Sequence, residues 1–240
     1  MAGTFQVFTI PAGVPQGGMS APMASGVFPR WSSNGRFLYL LAEDRASLLT
    51  IVASGGEPSE AFAWPRGGAV RQRRVHWIEM APAERAFAYT WMEGEAVAGT
   101  SVVDRATGQE NGLSLPLAQF RWSHDGNSIV GTHLALSGRP ATGRVVVCVA
   151  LPGDCRKVAT GYFAAPSADR RRVLFSRLPS DPLSPASLWT VGLDGNGEVK
   201  VAELPEPLPQ SLSFDVSRNG QIVYSRFVQD RAELWPAELR

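Results

Sequence analysis

An all-β architecture built from a repeated unit is what this sequence predicts, and three observations carry the prediction. The 24 Gly and 18 Pro are spread over all 240 residues, a density that interrupts long helices and suits short strands joined by tight turns. No window places apolar residues at every third or fourth position over about ten residues, as a helical repeat requires. One pattern recurs five times: an aromatic or β-branched run, a Ser-x-Asn/Asp-Gly turn and a second apolar run.

The three clear copies are Phe28-Pro-Arg-Trp-Ser-Ser-Asn-Gly35, Phe120-Arg-Trp-Ser-His-Asp-Gly126 and Phe214-Asp-Val-Ser-Arg-Asn-Gly220. Asn-Gly and Asp-Gly accept the positive φ angles of a two-residue hairpin, so each copy predicts a pair of antiparallel strands. Tyr162-Phe-Ala-Ala-Pro-Ser-Ala-Asp-Arg170 keeps the Ser and Asp with Arg in place of Gly, and Trp77-Ile-Glu-Met-Ala-Pro-Ala-Glu-Arg85 keeps only the shape. After each turn a strand is expected, at Phe37 to Leu41, Ala86 to Thr90, Ser128 to Thr132, Arg172 to Ser176 and Ile222 to Ser225. Third strands follow at Ser47 to Val52, Ala98 to Val103, Arg144 to Val149, Leu188 to Gly192 and Ala232 to Ala237, and a fourth, outer strand is implied. Between the turn residues Ser32, Pro82, Ser123, Ser167 and Ser217 the spacing is 50, 41, 44 and 50 residues, the length of a four-stranded propeller blade.

Phe-x-Arg-Trp-Ser-x-Asn/Asp-Gly followed by an apolar strand resembles the repeat of TolB-like, WD-related β-propellers, over essentially the whole chain. The resemblance implies an all-β propeller of about five four-stranded antiparallel blades. The repeats fall near residues 26–70, 71–117, 118–160, 161–210 and 211–240, with 4–25 contributing outer strands, all in a single domain. Thr4 to Ile10 reads as a strand that enters in mid-blade, and the chain ends on a third strand. Two strands, then sixteen, then three are one more than a closed ring of five needs. A ring with an irregular strand and the C-terminal piece of a longer propeller both fit this count.

Composition narrows the function. With 23 basic and 22 acidic residues the chain has no field to attract nucleic acid, and no apolar run reaches the ~20 residues of a membrane helix. A Gly-x-Ser-x-Gly elbow is missing; Gly112-Leu-Ser-Leu-Pro116 lacks its second Gly. His76, His124 and His133 show no zinc spacing. Ser123-His124-Asp125 are neighbours in a turn and cannot form a relay. Asp194-Gly-Asn-Gly-Glu198 opens like a calcium loop but has Val199 and Pro205 at the loop's later Gly and Glu positions, and reads as a hairpin turn. Arg66, Arg71, Arg73 and Arg74 form one basic cluster and Arg170 to Arg172 another. Both are read as solvated loop or strand edge, with an acidic partner or phosphate as the alternative. Trp31 and Trp122 share one repeat position and are expected to pack between blades.

No catalytic, cofactor or metal residues are assigned. The expected function is a non-catalytic protein-binding scaffold, a monomer with a protein partner and no nucleic acid or membrane insertion. The alternatives are a sensor domain of a winged-helix regulator or kinase, and an enzyme acting on a small substrate in the central channel. The resemblance suggests the periplasm, although the chain shows no secretion signal. Cys148 and Cys155 oppose each other if Ala150 to Gly153 form a four-residue loop, and are offset by a two-residue Pro152-Gly153 loop. Free thiols are the expectation.

Overall fold

The computed structural model describes residues 6–7, 23–32, 34–44, 47–63, 74–94, 96–135, 142–179 and 185–203, and the backbone of 214–216, 222–228 and 231–237. Every regular element among them is a strand, and no described helix is long and apolar enough to cross a membrane. The first pair, β1 (Gln6–Val7) and β2 (Ala24–Ser25), forms a two-stranded sheet. Four meandering four-stranded sheets follow. Sheet one holds β3 (Val27–Trp31), β4 (Phe37–Leu41), β5 (Ser47–Val52) and β6 (Ser59–Ala63). Sheet two holds β7 (Arg74–Met80), β8 (Ala86–Glu93), β9 (Ala96–Asp104) and β10 (Glu110–Gly112). Sheet three holds β11 (Gln119–Trp122), β12 (Ser128–Ala135), β13 (Thr142–Val149) and β14 (Cys155–Thr160). Sheet four holds β15 (Tyr162–Pro166), β16 (Arg172–Arg177), β17 (Ser187–Gly192) and β18 (Val199–Glu203). The last three strands, β19 (Phe214–Val216), β20 (Ile222–Val228) and β21 (Arg231–Ala237), pair antiparallel in a fifth sheet.

The four-stranded sheets are arranged as blades because their middle strands are buried on both faces, which is why these strands read as continuous apolar runs instead of alternating ones. In β4, Tyr39 and Leu41 pack with Ile78, Phe87 and Tyr89 of the second sheet, while Leu38 and Leu40 pack with Val7. Ala88 and Val102 turn the other way, onto Ile129, Val146 and Cys148. Val130, Val145 and Val147 then meet Val173, Phe175 and Val191. Burial of a Leu, Val or Phe side chain contributes roughly 1.5–3 kcal/mol, so each joint between neighbouring blades is a small hydrophobic core. The first strands touch in sequence, β3 on β7, β7 on β11, β11 on β15 and β15 on β19. They form the hub, and the fourth strands lie at the rim.

The repeated turn is longer than the two-residue hairpin expected. In the third blade Ser123 and Ser128 close a four-residue loop: Ser123 N–H donates to Ser128 O, Gly126 N–H to Ser123 O, and Ser128 N–H to Ser123 Oγ. The Asn or Asp carries the rest, since Asp125 Oδ1 accepts from Asn127 N–H as Asn34 Oδ1 does from Arg36 N–H. In the described part of the turn positive φ falls on the closing Gly: 69° at Gly35 and 72° at Gly126. The degenerate copies adopt the same conformation without glycine, with φ of 64° at Arg170 and 56° at Glu84. Glu84 N–H donates to Ala81 O and Ala81 N–H to Ala86 O, so Ala81 and not Pro82 is the counterpart of the turn serine. The fifth copy, Ser217 to Gly220, lies outside the described residues.

The free-thiol expectation is overturned: Cys148 and Cys155 form a disulfide. Val149 N–H donates to Asp154 O, which closes a four-residue loop and sets the two cysteines directly opposite each other. Cys155 N–H donates to Ser114 Oγ instead of to Cys148. The pair is therefore a non-hydrogen-bonded one, in which side chains come closest. The Cα atoms are 3.9 Å apart.

Candidate functional site at the hub

A charged and aromatic cluster occupies the hub where the first three blades meet. Counting back two residues from each turn serine or its counterpart gives Arg30, Glu79 and Arg121, one on each of three adjacent first strands. The Cα partners of these residues decide their directions. Arg30 opposes Tyr39 and so faces the second blade, and Glu79 opposes Ala88 and faces the third. Arg30 Nε donates to Glu79 Oε1 at 2.8 Å, and Arg121 Nη1 reaches the same oxygen at 2.5 Å from the other side. The Glu79 side chain is 11% exposed and the arginines 24% and 25%. The carboxylate is thus nearly buried, while both arginine side chains stay partly exposed.

Trp77 supplies the plate beneath this network. The guanidinium carbons of Arg30 and Arg121 lie 4.7 Å and 5.1 Å from its ring centroid, each a cation–π contact of order 0.5–2 kcal/mol. Phe28 leans against Trp77 with ring centroids 6.1 Å apart and against His76 at 6.3 Å. Phe28 has φ of 55°, at an irregularity between Val27 and Arg30 where β3 slips register against β4. Two indole bonds pin the joint below: Trp77 Nε1–H donates to Phe120 O at 3.2 Å and Trp122 Nε1–H to Glu79 O at 3.1 Å. Two cations and one carboxylate, rigidly held on an aromatic plate, can bind an anionic or planar group.

The residues singled out in the sequence are placed differently. His124 sits in the turn of the third blade, where Ser123 Oγ donates to Asp125 Oδ1 at 2.6 Å. Asp194 accepts from Asn196 N–H and Nδ2–H, both at 3.0 Å, as the head of the hairpin between β17 and β18; these bonds hold its carboxyl below the usual range. Ser114 anchors the disulfide hairpin, and His133 Nδ1 lies 2.8 Å from Pro116 O. Among the described residues no three His, Cys, Asp or Glu side chains group as metal ligands. Arg66, Arg71 and Arg73 lie outside the described residues, and Arg74 is the exposed first residue of β7. Arg170 and Arg171 are exposed, but Arg172 is the half-buried first residue of β16 and donates to Thr190 Oγ1 at 3.0 Å and to Gly197 O.

Trp122 packs between blades as expected, 8% exposed. Trp31 does not, at 54% exposed. Trp31 shares its face with Leu38, and the residues covering that face, Val7, Met23 and Ala24, lie over Leu38, Leu40 and Ile51. The hub cluster itself went unassigned in the sequence. Its signal was the Arg-Trp pair repeated at Arg30-Trp31 and Arg121-Trp122, with Glu79 at the same repeat position between them.

Radial four-stranded antiparallel blades meeting at a hub of first strands define a β-propeller. Its fold is TolB-like. TolB from Acinetobacter baumannii superposes with a TM-score of 0.66 at 15% identity, over 90% of this chain and 53% of that one. The putative TolB from Agrobacterium tumefaciens gives 0.66 at 15% identity, over 91% of this chain and 80% of that one. The chain therefore spans about half the length of the first and four fifths of the second. An enzyme, oligogalacturonate lyase in complex with manganese, gives 0.56 at 14% identity, over 87% of this chain and 61% of that one. No protein-family model and no curated protein matches the sequence.

Proposed function

We propose that this propeller is a non-catalytic protein-binding scaffold whose contact surface is the hub. The observation that carries this reading is the Arg30–Trp77–Glu79–Arg121 cluster, because tryptophan and arginine held in a preset geometry are the residue types that dominate binding energy at protein interfaces. Side-chain freedom is lost there before a partner arrives, which lowers the cost of association. The fold alone does not choose between binding and catalysis, since propellers serve both. The four residues engage one another in ion pairs and ring stacks, an arrangement suited to recognition. The Cys148–Cys155 bridge supports an oxidising, extracytoplasmic location.

Affinity capture with immobilised wild-type chain, an Arg121→Ala/Trp77→Ala variant and a rim variant, Lys157→Ala, tests the proposal. A specific partner retained by wild type and by the rim variant, and lost from the hub variant, is the expected result. Retention by the hub variant with loss at the rim, or turnover of a peptide, ester or glycoside substrate that disappears with a point substitution, would overturn it.

A further inference from the structure

We propose that the open edge of Arg30 is a carboxylate-binding site, through which the hub takes hold of an acidic peptide side chain. This deepens the scaffold reading and rests on it. The first support is shared pairing: Arg30 and Arg121 both reach Oε1 of Glu79, so Arg30 divides that oxygen with a second guanidinium. The second is the donor inventory of Arg30. Its Nε donates to Glu79 Oε1 and its Nη1 to Pro29 O, while Nη2 has no protein partner among the described residues. A guanidinium has five N–H donors in a fixed fork, so an unused edge remains that can grip a carboxylate with two parallel bonds.

The third support is orientation. The Arg30 plane is held by the Glu79 bond on one side and by the Trp77 ring beneath it, and its side chain is 24% exposed. A partly desolvated guanidinium already fixed in one rotamer binds an anion with little further ordering. Glu79 shows on the spot that a carboxylate fits between these arginines. The Trp77 ring under the guanidinium face and the Phe28 ring against it offer an apolar surface to the methylene stem of a Glu side chain.

Titration of the full chain with a short blocked peptide bearing adjacent glutamates, its glutamine twin, glutarate and inorganic phosphate tests the site by tryptophan emission and heat release. The glutamate peptide should bind at least about tenfold more tightly than its twin, and weaken as salt rises. Arg30→Gln should reduce its affinity about tenfold or more, and Arg30→Lys, which keeps the charge without the fork, should also weaken it. Arg30→Lys decides the matter if Arg30→Gln does not fold. Arg36→Gln, in the exposed turn, should leave binding unchanged. Glutarate binding as tightly as the peptide supports the carboxylate site and assigns it to a free small acid. Phosphate as the tightest ligand, equal binding of the glutamine twin, no binding at all, or equal weakening by Arg36→Gln overturns the proposal. If partner capture still depends on the hub variants when this binding is absent, the scaffold reading stands and only the carboxylate site falls.

Discussion

At the scale of single residues, the turn motif sets a pH dependence. Asp125 and Asp169 are held below the usual carboxylate range, first by the hydroxyls of Ser123 and Ser167 and then by the backbone N–H groups of Asn127 and Arg171. A folded pKa below the unfolded value of about 3.9 stabilises the fold fully above that value and is lost as pH falls through the folded one. Asn34 makes the equivalent bond without a charge. Asp125→Asn/Asp169→Asn should therefore flatten the loss of stability below about pH 4, read from urea midpoints between neutral and acid pH; parallel acid limbs would refute it. Glu84 shows how a turn does without glycine. Its positive φ is accompanied by a tie to the preceding blade, since Tyr39 O–H donates to Glu84 Oε2 at 2.9 Å, and by one within its own blade, since Arg105 Nη1 donates to Glu84 O at 2.9 Å. Burial, and next the bond to Glu84, raise the Tyr39 pKa. Tyr39→Phe should cost about 1 kcal/mol in the wild type and almost nothing in a Glu84→Gly background, as measured by a double-mutant cycle. The turn serines and the Arg170 substitution were legible in sequence. With Glu84 in place of its glycine, the second copy lost its landmark and was aligned one residue late.

At the scale of elements, the middle strands were the most legible part of the molecule, because burial on both faces writes an uninterrupted apolar run such as Phe37 to Leu41. The weakly patterned elements were harder. β10 is three residues of Glu-Asn-Gly, and nothing in its composition marks it as a strand; its pairing with β9 is a product of the blade. The disulfide was misjudged because loop length decides it, and a Pro-Gly pair suits a two- or a four-residue connection. That bridge closes a short loop, with a sequence separation of 7, so chain entropy assigns it about 2–3 kcal/mol. It also fixes the blade next to it: Ser114 N–H donates to Gly153 O, and a side chain at Gly153 would meet Gly112 O at 2.6 Å. Reduction, or Cys148→Ala/Cys155→Ala, should lower Tm by roughly 5–10 °C and expose the amides of 113–115 to exchange. A change under about 2 °C with unchanged exchange there would count against the coupling.

At the scale of the whole molecule, stability is carried between neighbours. Each blade interacts with the next through its own core, as in other repeat architectures, and the third blade has a described core on both sides. The second blade is flanked likewise, so hydrogen exchange should be slowest in β8, β9, β12 and β13 and faster in β4 and β17; uniform protection across all blades would contradict this nearest-neighbour picture. The hub was only half legible for the same reason. The repeat shows Arg30, Glu79 and Arg121 at one position, but only the assembled row of first strands brings side chains of the first and third blades onto the indole of the second. Trp31 and Trp122 then amount to a matched optical pair, one motif in two surroundings. Trp31, at 54% exposed, should emit at longer wavelength and be open to collisional quenching by acrylamide, and Trp122, at 8%, should be shielded. Trp31→Phe should shift the emission of the chain to the blue and remove a readily quenched fraction, while Trp122→Phe should do neither. Any molecule that settles against the first blade would then announce itself by a loss of quenching at one named ring.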